Sequence, residues 1–474
     1  MTSLRRIITT VCCGLICAGL CGCHKSQSQA PAKKLSPAEK KQQRLEWNLK
    51  TTVAAYESGG RRSSSWDGYA EDALNEFAHV RAKATEGEPW QQVIATNCAA
   101  AVDAGCDDPM ILYLFVKFSM AHTNDAAGFS RAYCRVAQAM EKSSYPPVRK
   151  FYAEARALQQ LSYTYGLAGM QRPEVGDLPS DISDQLLRVL QERDAPPDEV
   201  YEVCAEGLQG FNSHPEDYEQ AYRQIEASLF SYWPNEATTW MLKGEAFTRM
   251  AWNARGSGFA NTVTPEGWKA FSENLSQARQ ALEKAWKLDP QDPRIAVHML
   301  SVELGEGKDR KSMEQWFQRA MDLDPNDYDA CSEKLNYLEP KWYGSVEEAV
   351  AFGRQCAQNK KWGGDVPLIL LDAHYYNSQM GETDSDKAAY WKRPEVWPDL
   401  RMAFDRFFEA NPEAVERYNQ YALYAFKCEQ WTTFLELVAK LEPGNYNYFG
   451  NKDGFDAMVR LAKEHAVTAP AGTP

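Results

Sequence analysis

Residues 278–290 read ARQALEKAWKLDP, and residues 313–325 read MEQWFQRAMDLDP. The second segment repeats the pattern of the first with an offset of 35 residues. Large apolar residues match large apolar residues, and the small residue Ala285 matches Ala320. Both segments end in Leu-Asp-Pro. Because repetition at such a period is typical of stacked supersecondary units, this stretch decides the fold.

The spacing inside each segment predicts a helix. Apolar positions recur every three or four residues, which places them on one helical face. The alanine on that face lets a neighbouring helix approach closely, and the proline ends the helix. Asp292 and Asp327 follow as turn and capping residues for the next helix. We therefore expect an all-α fold, a right-handed superhelical stack of antiparallel helix pairs.

This pattern resembles the tetratricopeptide repeat. The residues that carry the resemblance are Trp240, Lys243, Gly244 and Phe247 in a first helix and Ala278, Leu282, Ala285 and Pro290 in a second. The gap between them is about 20 residues longer than that family's pattern. Residues 252–352 also resemble an uncharacterised family of bacterial tetratricopeptide-like proteins, which implies no particular activity.

The N-terminus has the pattern of an export signal. Arg5 and Arg6 precede an apolar run that is too short to span a bilayer, and the run ends in Leu-Cys-Gly-Cys. This ending resembles the lipobox of bacterial lipoproteins. The resemblance implies that residues 1–22 are a signal peptide and that Cys23 carries lipid. An ordinary signal peptide is the alternative.

A lipid on Cys23 would place the protein in a bacterial cell envelope, anchored to a membrane with its body in the periplasm. No aspartate follows the cysteine, which favours the outer membrane over retention at the inner one. Residues 23–44 are rich in Lys, Ser, Gln and Pro, so we expect a flexible tether.

The rest of the chain reads as consecutive helices, and no stretch shows the alternation of a strand. We expect an N-terminal helical region over 45–216, a repeat core over 217–360 and a C-terminal helical region over 361–465. Residues 466–474 have the composition of a disordered tail.

Composition and motifs exclude several classes of function. The net charge of −13 argues against a nucleic-acid-binding body. No motif for a metal, a cofactor or a catalytic triad occurs, so we predict none of these, although an acid–base enzyme stays open. Seven cysteines follow Cys23, an odd number without a Cys-x-x-Cys pair. We expect most to be buried free thiols; a disulfide between Cys98 and Cys106 is the alternative.

The candidate binding residues lie in two unusual segments. Residues 252–268 interrupt a helix pair with glycines, a proline, Trp252, Arg255 and Trp268, which suggests a binding loop with aromatic and arginine anchors. Trp342 and Tyr343 form the second candidate. The structural alternatives are a loop that covers its own core and a helix cap with buried aromatic rings.

These observations favour a membrane-anchored scaffold or assembly factor whose helical array binds an envelope protein or peptide. An enzyme or binder that acts on envelope glycan is the rival hypothesis, because acids and tryptophans are abundant. A spacer without a specific ligand is the third. Converging desolvated carboxylates would favour the enzyme, whereas Asn, Lys or Arg beside exposed aromatic rings would favour the scaffold.

Overall fold

The structure is a computed structural model, and it is entirely helical where it describes the chain. The described residues are 35–83, 90–120, 125–166, 173, 176, 178–209, 215–307, 309–412, 414–441 and 446–468. Within them the regular elements are α-helices and a few short 3-10 helices, with no strand. The predicted all-α fold of packed helices is therefore confirmed.

The chain divides into two compact units, Met1–Leu242 and Lys243–Pro474. This division falls inside a helix and coincides with neither predicted boundary, at 216/217 or at 360/361. Successive helices of a stacked array contact their neighbours along the chain, so changes in sequence composition do not mark units of contact.

In the first unit, consecutive helices pack on one another. Its helices are α1 (Pro37–Thr51), α2 (Val53–Gly59), α3 (Asp67–Arg81), α4 (Trp90–Asp103), α5 (Pro109–Ser119), α6 (Ala126–Glu141), α7 (Pro147–Tyr165), α8 (Leu178–Gln191), α9 (Pro197–Gln209) and α10 (Pro215–Tyr232), followed by α11 (Ala237–Arg255), which crosses into the second unit. From α3 to α9 each helix packs against the next, and α3 packs on α5 as α7 packs on α9. Contacts to the next helix and to the one after it are what stacked helix pairs produce.

The second unit repeats this arrangement. Its helices are α12 (Pro265–Leu288), α13 (Pro293–Glu306), α14 (Arg310–Leu323), α15 (Tyr328–Tyr337), α16 (Val346–Gln358), α17 (Ile369–Ser378), α18 (Asp384–Tyr390), α19 (Val396–Ala410), α20 (Arg417–Lys427), α21 (Trp431–Val438) and α22 (Lys452–Thr468). From α12 to α17 each helix packs on the next, and α13 also packs on α15 and α15 on α17. The α-helical repeat predicted from the sequence is present here as α12 and α14.

The repeated small residues explain how closely these helices approach. Ala278, Ala285 and Ala320 are fully buried, as the matching pattern predicts. A β-carbon at Gly244 would lie 2.4 Å from Leu282 Cγ, closer than real β-carbons approach their neighbours. Glycine at this position therefore allows α11 and α12 to pack at close range.

Aspartate side chains start the repeat helices. Asp292, Asp309 and Asp327 precede α13, α14 and α15, and each accepts a hydrogen bond from a backbone N–H of the first turn. Such caps satisfy donors that would otherwise lack a partner at the helix end. The capping role predicted for Asp292 and Asp327 is confirmed.

The predicted insertion at 252–268 contains the last turn of α11, a connecting segment over 256–264 and the first turn of α12. Helix α11 continues through Arg255 and ends at Gly256, whose φ of 72° favours glycine. Helix α12 already begins at Pro265, where Thr264 accepts a hydrogen bond from Gly267 N. The extra length therefore lies in two long helices, because a cap and a proline at the first turn extend α12 backwards.

The predicted tether is also shorter than expected. Helix α1 begins at Pro37, with a capping box between Ser36 and Glu39. Arg44 is buried, although the polar composition of residues 23–44 predicts solvent exposure. The polar composition predicts a solvated linker, but Arg44 pairs with Glu199 and Glu202, which lie more than 150 residues along the chain. The remaining part of the predicted tether, 23–34 with Cys23, lies outside the described residues.

Two further predictions concern the C-terminal tail and the cysteines. Helix α22 extends to Thr468, past the predicted start of the tail at 466, whereas residues 469–474 are not described. All seven cysteines beyond Cys23 are buried free thiols, so Cys98 and Cys106 are not bridged. Among the described residues, no helix has the length and apolar composition needed to cross a membrane.

Candidate binding site

The structure brings all five predicted binding residues together on the second unit. We call Trp252, Arg255, Trp268, Trp342 and Tyr343 the arginine–tryptophan cluster. The first two lie in the last turn and a half of α11, and Trp268 lies in the first turn of α12. The other two lie in the turn between α15 and α16, more than 70 residues along the chain from Trp268.

Arg255 lies among the three indole rings. Its guanidinium carbon is 5.8 Å from the Trp252 ring, 5.8 Å from the Trp268 ring and 5.3 Å from the Trp342 ring. Cation–π attraction acts at such distances. Arg255 Nη1 also donates to the carbonyl oxygens of Gly256 and Gly258, at 3.0 and 3.1 Å. One side chain therefore fixes both the loop after α11 and the rings around it.

The inner rings pack edge to face. Trp252 and Trp342 have ring centroids 5.6 Å apart with an angle of 81° between their planes. Phe271 of α12 contacts Trp252 at 5.1 Å and Trp268 at 5.7 Å. These contacts join α11, α12 and the turn before α16 into one aromatic layer.

A backbone carbonyl and a neighbouring ring fix the position of Tyr343. Its hydroxyl donates to Leu304 O at 3.1 Å, and its ring lies 4.7 Å from that of Tyr337. A β-carbon at Gly307 would lie 2.1 Å from the Tyr343 oxygen, so glycine leaves the space that this tyrosine fills. Burial raises the pKa of Tyr343, against the opposing effect of the Arg255 charge. The phenol therefore stays protonated as a hydrogen-bond donor at neutral pH.

The cluster has an inner and an outer layer. Trp252, Arg255 and Trp342 are half-buried, whereas Trp268 is 39% exposed and Tyr343 is 41% exposed. Phe259, in the loop after α11, is 85% exposed. Phe259 is not among the predicted binding residues, since nothing in the sequence distinguishes an exposed aromatic residue in a loop from a buried one.

Three buried N–H donors on or next to the cluster have no acceptor among the described residues. They are Arg249 Nε, Asn253 Nδ2 and Trp342 Nε1. Arg249 and Asn253 are four residues apart on α11, and Trp252 lies three residues after Arg249. These three residues of α11 therefore lie near one helical face. The sequence analysis missed Arg249 and Asn253; their four-residue spacing beside a tryptophan was the available signal.

The chemistry of the cluster is that of recognition. It consists of aromatic faces, one guanidinium and N–H donors, which bind aromatic, apolar or hydrogen-bond-accepting groups. Among the residues that the structure describes, no group of three or more His, Cys, Asp or Glu side chains could hold a metal ion.

The sequence matches no model of a known protein family, and no curated protein matches it either. The similarity of the repeat to the tetratricopeptide pattern therefore rests on the residues quoted above.

Proposed function

We propose that this protein is a binding module of a bacterial cell envelope, held at a membrane by lipid on Cys23. Its helical array would dock a partner protein or an extended peptide at the arginine–tryptophan cluster, in a scaffold or assembly role. The observation that carries the proposal is the exposure of Trp268 and Tyr343 on a packed aromatic layer, with exposed Phe259 in the adjoining loop after α11.

Preorganisation supports this role. Large aromatic side chains and arginine contribute most of the binding energy at many protein interfaces. Here the rings of Trp268 and Tyr343 are held by Phe271, Arg255 and Leu304 O. Because they are already fixed, little side-chain entropy would be lost when a partner covers them.

The position of α1 limits how far the first unit can lie from a lipid on Cys23. If Cys23 is lipidated, only residues 24–35 separate the lipid from the capped start of α1. A fully extended segment of that length spans roughly 40 Å. The first unit would therefore lie close to the membrane surface.

Affinity capture from gently cross-linked envelopes tests the proposal. The variant combines Phe259→Ser, Trp268→Ala and Tyr343→Ala, which remove the outer layer and leave Arg255 and the inner rings. A matched control combines Tyr448→Ala and Val415→Ser, which are similarly exposed on the same unit. We expect a discrete partner with wild type and control, and a loss of at least tenfold in its recovery with the triple variant.

Two results would contradict this site. Either no protein would be enriched over a mock capture, or the triple variant would retain the partner as fully as the control does. Circular dichroism and thermal unfolding of each variant establish that a lost interaction does not reflect a lost fold.

The glycan hypothesis has its own candidate residues, Glu333 on α15 and Asp372 on α17. Burial raises the pKa of both carboxyl groups, and Asp372 accepts a hydrogen bond from the Tyr328 hydroxyl at 2.5 Å. A carboxyl group with a raised pKa suits a general acid. If the wild-type chain turns over glycan from bacterial envelopes, and Glu333→Gln and Asp372→Asn each abolish this turnover, the result would support this second function. No turnover by the wild-type chain would remove it.

A further inference from the structure

Arg255, among the three indole rings of the arginine–tryptophan cluster, forms no ion pair with a carboxylate of the described residues. Three other arginines of the second unit do form such pairs: Arg279 with Glu303 and Glu306, Arg294 with Asp292, and Arg310 with Glu348. Arg255 instead contacts the three rings and two backbone carbonyl oxygens. A cation–π contact attracts a cation but brings no negative charge to it. The charge of Arg255 is therefore available to a ligand.

One edge of the Arg255 guanidinium is open to solvent. Nη1 donates to Gly256 O and Gly258 O, whereas Nε and Nη2 make no hydrogen bond with a described residue. Unlike Arg249 Nε and Trp342 Nε1, these two nitrogens are not buried. Nε and Nη2 lie on the same edge of the planar guanidinium, where two parallel N–H groups match the two oxygens of a carboxylate. Among protein side chains, those of Asp and Glu fit this edge.

Exposed aromatic rings lie beside this guanidinium. Trp268 is exposed, and its ring lies 5.8 Å from the guanidinium carbon of Arg255. Tyr343 is exposed as well, and its ring lies 6.4 Å from that of Trp342, which itself contacts Arg255. Such rings offer a large apolar area that an aromatic or large aliphatic side chain can cover. The exposed part of the cluster therefore combines one cation with apolar surface.

The charge of Arg255 also determines which ligands the cluster disfavours. The faces of tryptophan rings attract cations, so tryptophans alone would suit a lysine or arginine of a partner. Here a guanidinium already lies 5.8, 5.8 and 5.3 Å from the three indole rings. A basic side chain at these rings would meet a like charge, and such contacts discriminate against a partner. The cluster therefore selects an acidic segment over a basic one.

We propose that the partner presents the carboxylate of an aspartate or glutamate to Arg255, from a segment in which a neighbouring aromatic or large aliphatic residue covers Trp268 and Tyr343. This inference rests on the proposed function and names the chemistry of the partner that docks there. Nε and Nη2 donate to the two carboxylate oxygens, and such charge-assisted hydrogen bonds are stronger than neutral ones. The apolar neighbour excludes water from the contact, which strengthens the attraction between the charges.

Selection from a phage-displayed library of random dodecapeptides on the immobilised full chain tests this inference. A peptide is kept only if it binds wild type and fails to bind the variant that combines Phe259→Ser, Trp268→Ala and Tyr343→Ala. We expect the kept peptides to carry Asp or Glu within two residues of Trp, Tyr, Phe or Leu. The peptide with the highest affinity is then synthesised in two forms, one with the acid and one with the corresponding amide, Gln or Asn, in its place.

Calorimetric titration of two arginine variants with both peptides measures the contact. Arg255→Met should weaken binding of the acidic peptide at least tenfold and change binding of the amide peptide less than twofold, since the amide has no charge to pair. Arg319→Met is the matched control and should leave both affinities unchanged. Arg319 also forms no ion pair with a described residue and lies 5.3 and 4.1 Å from the rings of Trp286 and Trp316, but neither ring is exposed.

The outcomes separate this inference from the proposed function. If the kept peptides lack an acid, or if wild type binds the acidic and amide peptides equally, only this inference is overturned. If no peptide depends on the outer layer, the proposed docking site is overturned with it. Should Arg255→Met fail to fold, Arg255→Lys replaces it; lysine keeps the charge but not the two-nitrogen edge, so undiminished binding of the acidic peptide would contradict the carboxylate contact.

Discussion

Glu154 shows how one buried residue can control pH dependence. It is fully buried on α7, and neither carboxyl oxygen receives a hydrogen bond from a described donor. Burial, together with the neighbouring Glu141, raises its pKa to about 9. A proton on Glu154 provides the O–H that can donate to Glu141, so the neutral acid is the form that the fold accommodates.

This pKa predicts a loss of stability as pH rises. The unfolded chain releases the Glu154 proton near the ordinary value of 4.5, whereas the folded chain keeps it to about 9. The free energy of unfolding therefore falls between these two pH values. Glu154→Gln, which stays neutral, should gain on wild type by about 1–3 kcal/mol between pH 5 and pH 9. Urea unfolding at pH 5, 7 and 9 measures this difference.

Glu57→Gln is the control, since Glu57 is exposed on α2 and should leave the pH profile unchanged. A wild-type chain whose stability is flat from pH 5 to pH 9, or a Glu154→Gln variant that follows the wild-type profile, would show that Glu154 is ionised in the folded state.

Helix α1 is the element whose role differs most from its sequence pattern. The polar composition of its first half predicts a tether, but Arg44, Trp47 and Asn48 are buried. Arg44 contacts Glu199 and Asn48 contacts Arg149, each more than 100 residues along the chain. Polar side chains on a helix can be buried when charged or polar groups of the same unit form hydrogen bonds with them. The sequence alone does not reveal such partners.

Trp47→Ala tests whether α1 is packed or flexible. Removal of this buried indole, which is 5% exposed, should lower the free energy of unfolding by about 3–5 kcal/mol. Lys41→Ala, on the exposed side of the same helix, should change it by less than about 0.5 kcal/mol. Equal unfolding midpoints for the two variants would mean that α1 behaves as a tether.

A buried polar network joins α16, α17, α18 and α19. His374 Nδ1 lies 2.8 Å from the Tyr390 hydroxyl, and its Nε2 lies 3.0 Å from Asp399 Oδ2. Arg354 Nε donates to both oxygens of Asp399, at 2.9 and 3.0 Å. Against the effect of burial, His374 and Arg354 lower the pKa of Asp399 and keep it ionised. The carboxylate therefore connects three helices through hydrogen bonds.

Asp399→Ala should destabilise the second unit by about 2–4 kcal/mol, because it leaves His374 and Arg354 without their acceptor. Hydrogen exchange should increase in α17 and α19 and remain unchanged in the first unit. Asp405→Ala, on an exposed position of the same helix, is the matched control. Normal exchange protection of α17 in Asp399→Ala would exclude a structural role for the network.

At the scale of the whole molecule, the membrane anchor is the prediction to test. Cys23→Ala should prevent incorporation of radiolabelled fatty acid and move the protein from the membrane to the soluble fraction of the envelope. Cys21→Ala, two residues earlier, should keep both the label and the membrane location. A Cys23→Ala protein that still fractionates with membranes would mean that another segment anchors it.

Sequence reasoning predicted the candidate site in part. Glycines and aromatic residues that interrupt the helix pair predict Trp252, Arg255 and Trp268, and Trp342 and Tyr343 are the second predicted candidate. The structure brings the two groups together. Their division into buried and exposed layers was not predictable, since it depends on Phe271 and on the turn before α16. Exposed Phe259 was missed for the same reason.

The sequence by itself determined the helices, the repeat and the caps. Helical periodicity, a small residue at a fixed position and the aspartates before α13, α14 and α15 act within a few residues, so they can be predicted from local spacing. Gly244 and Asp292 are examples, since their roles follow from neighbours in the repeat.

Only the tertiary structure decided which polar and aromatic side chains meet. Arg149 contacts Asn48 across 101 residues, and Arg255 contacts Trp342 across more than 80. Whether a charge is neutralised, and whether a ring is exposed, depends on groups brought together by helix packing. No local pattern carries that information, because burial and charge compensation are properties of the folded unit and not of the segment.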